Sequence, residues 1–380
     1  MIKQGRLSFF DNIRWLIIVF VVMAHSAVTY SNIGGWYHYE PVKLDFPSFI
    51  IFWTFQTFTQ AYFMGLLFLI AGYFVPGSLD RKGWAGFLKG RAARLGIPTL
   101  LYMLLINPVI DYYLLAFQWT GPRPPADKYF MTYIQSLHFL SCSGPMWFAL
   151  VLLIFSAIFT VYRHFQGQQK QNLEGKLPGN LAVAGLVLLI STGAFAIRLI
   201  QPIGTEIANM QLCFFSSYII LFIAGIIAYR NNWLLRIPYS FGMMWFRAAL
   251  VIGTVFWMAI MILGGELSGD FSKYTGGLYW QSAAYALWEA FFCVGACLGL
   301  IVLFRDRLKL QGRLAKFMSD NSFSVYLFHP PILILVTLAL KEFAWHPIIK
   351  FIVASAIVVP LCFMASHFIF RRIPLLKRVL

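Results

Sequence analysis

The stretch RWLIIVFVVMAH, residues 14–25, sets an arginine and a histidine at the ends of ten apolar residues. At 100° per residue the eleven steps from Arg14 to His25 come to three turns and about 20°, so both face one side of a helix. At 1.5 Å per residue they stand roughly 16 Å apart along its axis. Asp11 precedes Arg14 by three residues and falls on nearly the same stripe. A guanidinium at the mouth of such a line suits an anion, held by charge-assisted hydrogen bonds. An imidazole three turns deeper suits proton transfer at neutral pH. Glu289 and His329 are the other ionisable groups well inside apolar segments. Such groups are expensive in lipid and are functional candidates by default, although each alone also fits a paired core residue that fixes helix packing.

A second cluster is KGRAARLGIP, residues 89–98, in which Arg91 and Arg94 are three apart and share a face. Two guanidiniums there suit a phosphate or pyrophosphate, which arginine binds bidentately. Basic residues at an inner helix end are equally ordinary topology determinants. The chain carries no P-loop, dinucleotide fingerprint, His-x-x-x-His pair or Ser-x-x-Lys pattern. Its five cysteines are scattered and suggest neither a disulfide framework nor a zinc site. Trp36-Tyr37 and Trp147-Phe148 read as interface and packing aromatics.

The elements that must position these groups are membrane helices. Sixty per cent of the 380 residues are apolar, 12% are charged, and the mean hydropathy is +0.72. Apolar runs of spanning length recur at 12–32, 49–75, 96–117, 144–164, 180–199, 211–229, 245–264, 281–304, 322–340 and 347–369. Their unalternating character excludes a porin-like barrel. The expected fold is therefore an all-α bundle of about ten transmembrane helices, a single domain over 1–380 without a soluble appendage. The net charge of +16 does not point to nucleic acid, because 23 of the 30 lysines and arginines fall on one side if the N-terminus is cytoplasmic. That excess places both termini in the cytoplasm. Asn107-Pro108 interrupts the third span, Pro330-Pro331 falls inside the ninth beside His329, and Pro360 kinks the tenth. Carbonyls freed by proline are buried in protein or line a wet cavity. No internal repeat is evident.

Four motifs in order resemble the acyltransferase-3 family of integral membrane acyltransferases: Arg14-x10-His25, Arg91-x-x-Arg94, Trp147-Phe148 in GPMWFALVLL, and Tyr326-Leu-x-His329-x-Pro331 in YLFHPP. The resemblance covers essentially the whole chain. DNIR, GYF, RLGIP and RIPLLK (372–377) are most similar to the glucan biosynthesis protein C type, a glucan succinyltransferase. The resemblance implies an acyl-CoA-dependent O-acyltransferase of the bacterial plasma (inner) membrane. Acyl-CoA would be the donor, with no metal or prosthetic group and no nucleic-acid partner. The acceptor would be an extracytoplasmic glycan or a lipid-linked sugar. A homo-oligomer or a separate extracytoplasmic partner is compatible with it. Arg14, Arg91 and Arg94 would hold the CoA phosphates, with His329 lining the CoA path. His25 would be the general base and Glu289 its orienting or acceptor-fixing partner. Asp11, Trp147 and Tyr326 would support them. The rival reading is a transporter or flippase for a glycan or acyl carrier, since broken helices and buried charges also mark substrate paths.

Overall fold

The computed structural model describes residues 7–167, 171, 172, 174–265 and 271–377. Lys3, Arg6, Lys170 and Arg378, four of the cations behind the expected orientation, lie outside the described residues. Among the described residues the chain is helical and has no strand. The principal helices are α1 (Ser8–Ser31), α2 (Phe46–Leu114), α3 (Ala126–Gln135) and α4 (Trp147–Gln166). They continue with α5 (Asn180–Arg198), α6 (Phe215–Arg230), α7 (Tyr239–Leu263) and α8 (Trp280–Asp306). α9 (Arg313–Ala339) and α10 (Pro347–Phe368) complete the set. All but α3 belong to the nine segments that, among the described residues, are long and apolar enough to cross a membrane.

Nine segments carry the ten expected spans because α2 contains two of them. At 1.5 Å per residue its 69 residues would measure about 100 Å, three times the hydrocarbon thickness, so it must turn. The turn is at Gly83, whose φ of 66° and ψ of 169° are open only to glycine. The expected break at Asn107-Pro108 takes another form. The second arm of α2 runs on through π-helical turns at Ala92–Gly96, Tyr102–Ile106 and Ile110–Leu114. Short α-turns that begin at Ile97-Pro98 and Asn107-Pro108 lie between them. Widened turns absorb the missing proline donors without stopping the helix. α9 likewise passes through Pro330 and Pro331 without opening.

The chain forms two compact units. One gathers the chain up to Arg14, Gln60–Phe87 and Ile158–Gly312; the other gathers Trp15–Thr59, Leu88–Ala157 and the chain from Arg313. In the first unit helices meet through small residues, as lipid-embedded packing requires. A Cβ at Gly72 would strike the Phe222 carbonyl, and one at Gly225 would strike the Leu69 carbonyl, so α2 and α6 cross backbone to backbone. Along α7 and α8, Gly295 faces Ala249 and Gly299 faces Phe246, while the Trp288 indole donates to the Gly253 carbonyl at 2.8 Å. In the second unit Ala27, Tyr30, Phe52, Leu340 and Ala354 form a buried cluster joining α1, α2 and α10 with the residue that follows α9. α1 ends there in Asn32, left-handed at φ 58°, whose amide donates to the Val28 carbonyl at 3.0 Å. That cap turns the chain back over the helix it has just left.

Candidate active site

Proline cannot donate a backbone hydrogen bond, and in α9 this has a specific consequence. The helical partner of residue 330 is the carbonyl of Tyr326, four residues earlier, and Pro330 leaves that carbonyl unclaimed. The His329 ring takes it: its Nδ1 lies 2.9 Å from the Tyr326 oxygen and 3.3 Å from the Val325 oxygen. A carbonyl only accepts, so Nδ1 carries the proton and, in the neutral ring, Nε2 carries the lone pair. His25 Nδ1 is 3.0 Å from that Nε2 and must therefore donate to it. By the same valence rule His25 keeps its lone pair on Nε2. The rings lie within 3° of parallel, with centroids 5.1 Å apart. A 3.0 Å contact between nitrogens at that separation makes them edge to edge in nearly one plane, a hydrogen-bond geometry rather than a stack. His329 is fully buried and His25 only partly. The enclosed ring is thus held by the backbone, and the accessible ring is held by the enclosed one.

Trp36 completes the cluster. Its ring stacks on His25 with centroids 4.0 Å apart and planes at 13°, and it lies 5.9 Å from the His329 ring. The loop after α1 holds it there through its neighbours. Tyr37 donates to Asn107 Oδ1 at 2.7 Å and, having spent its proton, accepts from the Tyr102 hydroxyl at 2.8 Å. Gln118 donates to the Tyr37 carbonyl at 3.2 Å, and the Glu40 amide donates to the Thr29 carbonyl at 2.9 Å. Burial pushes the Tyr37 phenol well up, so it stays protonated. By sequence alone Trp36 is an interface or packing aromatic. The one available signal was its position, eleven residues past His25 and just beyond the Asn32–Gly35 turn.

The other candidates are placed as follows. Arg14 donates to Asp11 at 3.1 Å, the i,i+3 pair expected from spacing, and its guanidinium lies 5.0 Å from the Phe74 ring. Arg14 and His25 lie on one uninterrupted α-helix, α1. Arg91 closes the α-helical arm and Arg94 sits inside the π-turn Ala92–Gly96. A wider turn rotates residues three apart away from each other, so the pair shares a face less closely than α-helical spacing implies. Arg91 is half-buried and Arg94 exposed. Trp147 opens α4, and Phe148 beside it meets the Tyr326 ring edge-on at 6.3 Å. The Tyr326 side chain is buried beside it. Glu289 lies in the first unit, where it accepts from Arg198 at 2.5 Å, both side chains being buried. Tyr285 and Phe214 face the same guanidinium at 5.3 and 5.6 Å. Arg198, the last residue of α5, is not among the candidates the sequence singles out. The buried carboxylate of Glu289 was the sign that one cation had to be inside.

A helical membrane protein with two imidazoles joined at its core is equipped for proton transfer, and the comparison with known families gives it a class. The chain belongs to the acyltransferase-3 family: the model of that acyltransferase domain matches residues 7–367. It is accordingly a multi-pass membrane acyltransferase. No curated protein and no solved structure matches it.

Proposed function

We propose that the protein transfers an acetyl or succinyl group from acyl-CoA to a hydroxyl of an extracytoplasmic or membrane-associated glycan, with His25 Nε2 as general base. The observation that carries this reading is the hydrogen-bond series from the Tyr326 carbonyl through His329 to His25, which leaves the accessible imidazole ready to accept a proton. His25 Nε2 takes the hydroxyl proton while the oxygen attacks the thioester carbonyl. The carbon–sulfur bond then breaks, and the CoA thiolate recovers the proton from the imidazolium. Products are an O-acyl ester and CoA. His329 does for His25 what a carboxylate does in a serine-protease triad: it fixes tautomer and orientation and accepts a hydrogen bond from the imidazolium. His329 therefore takes a positioning role instead of lining the CoA path, and Glu289 is assigned to its ion pair with Arg198.

Arg14, Arg91 and Arg94 are proposed as cationic contacts for the CoA phosphates, with arginine's planar fork suited to them. Similarity in DNIR, GYF, RLGIP and RIPLLK favours the glucan succinyltransferase type, and the lysine and arginine distribution favours an inner-membrane protein with both termini cytoplasmic. The test is turnover of acetyl-CoA and succinyl-CoA by detergent-purified full-length protein. Wild type is expected to release CoA, and His25→Ala to lose roughly 10²–10⁴ of that rate. A transporter would release none, and equal rates in the two proteins would overturn the reading.

A further inference from the structure

The loop that carries Trp36 onto His25 also concentrates unpaired polar atoms. Between residues 30 and 40, Tyr30 Oη, Trp36 Nε1, His38 Nδ1, His38 Nε2 and Glu40 Oε2 are all buried without a hydrogen-bond partner. Native interiors keep few such groups, because each forfeits its hydration for nothing. His38 is 2% exposed and Glu40 7%. Five such atoms fall within eleven residues, and one of them belongs to the ring that stacks on His25.

Their chemistry restricts the ligands that would suit them. Trp36 Nε1 only donates and Glu40 Oε2 only accepts, while the Tyr30 hydroxyl does both. Burial and the Lys341 cation both press the His38 pKa down, so its ring is neutral and offers one donor and one acceptor. Glu40 Oε1 is already taken by Lys350, which also donates to the Lys341 carbonyl at 3.3 Å. A phosphate offers acceptors and would meet the Glu40 carboxylate. A cation would meet Lys350 and Lys341. Neutral hydroxyls, each able to donate and accept, match every one of these atoms by type. The position fits as well: the Glu40 amide is bonded to Thr29, one helical turn or about 6 Å beyond His25.

We propose that Tyr30, Trp36, His38 and Glu40, with Lys350 behind them, form the binding subsite for a neutral polyhydroxylated acceptor, a short sugar whose free hydroxyl is delivered to His25. This rests on the transfer reading for its role but not for its test. Full-length protein in detergent is titrated with maltotriose, a neutral glucose trisaccharide, and binding is followed by saturation-transfer NMR with inorganic phosphate as competitor. Wild type binds saturably and phosphate does not compete. His38→Phe weakens binding by about tenfold or more, as loss of paired hydroxyls requires, while its melting temperature holds or rises because two orphaned nitrogens are gone. Glu40→Gln alone strands Lys350, so Glu40→Gln/Lys350→Met is measured beside it and is expected to weaken binding similarly. His164→Ala, a histidine exposed at the far end of α4, leaves binding unchanged. No saturable binding by wild type, competition by phosphate, or full affinity in both loop variants would overturn the subsite. Acyl-CoA turnover that depends on His25 without sugar binding defeats the subsite alone. Sugar binding lost in His38→Phe, with no turnover in wild type, upholds the subsite and defeats the transfer reading alone.

Discussion

Pro330 acts on its neighbour through the donor it lacks. The carbonyl it leaves free is the one His329 needs, and that bond decides which nitrogen of His25 holds a proton. Pro330→Ala restores an N–H aimed at Tyr326 and makes the helix compete for its carbonyl. The expected outcome is a loss of about tenfold in kcat with no loss of thermal stability, read by steady-state kinetics and calorimetry on the same preparation. His25→Ala removes the proposed base and should cost about a thousandfold. His329→Gln can still present a polar atom to His25 and should fall between the two, with KM for acyl-CoA unchanged. A KM effect without a kcat effect would return His329 to the donor path.

At the scale of elements, two devices organise the helices and neither requires the chemistry. α2 and α6 touch backbone to backbone at Gly72 and Gly225. Gly225→Leu should prevent that approach and yield protein that aggregates on detergent extraction, seen as loss of the monodisperse peak in size-exclusion chromatography. The Arg198–Glu289 pair is a buried ion pair whose members depend on each other. Glu289→Leu strands a buried guanidinium and should destabilise the fold by about 3–5 kcal/mol, whereas Arg198→Met/Glu289→Leu should recover most of it. Kinetics separate this from a catalytic role, because the double variant is expected to keep its turnover per folded molecule.

For the whole molecule, hydropathy alone made the helical membrane fold legible, since no other structure buries so many consecutive apolar residues without stranding backbone donors. The number of segments was harder to read. Gly83 was one glycine among 29 until its left-handed backbone joined two spans into α2. The chemistry was legible in part. His25 and His329 stood out as ionisable groups in apolar runs, and Asp11 with Arg14 as a local pair. Sequence could not join His25 to His329 across 304 residues, nor bring Trp36 back over α1. Such contacts depend on tertiary packing, whereas the π-turn that rotates Arg94 from Arg91 depends on how prolines are absorbed. Orientation rests on charge. A reporter fused after the last residue is expected to be active in the cytoplasm, and periplasmic activity would reverse the positive-inside assignment.

The joined imidazoles are most directly tested by nitrogen NMR of full-length protein carrying ¹⁵N-histidine, with His25→Ala and His329→Gln used to assign the two rings. Both rings are expected to carry a protonated Nδ1 and an unprotonated Nε2 at neutral pH, and the His25 pattern to shift in His329→Gln. A His25 ring protonated on Nε2, or one unaffected by removal of His329, would contradict that pairing.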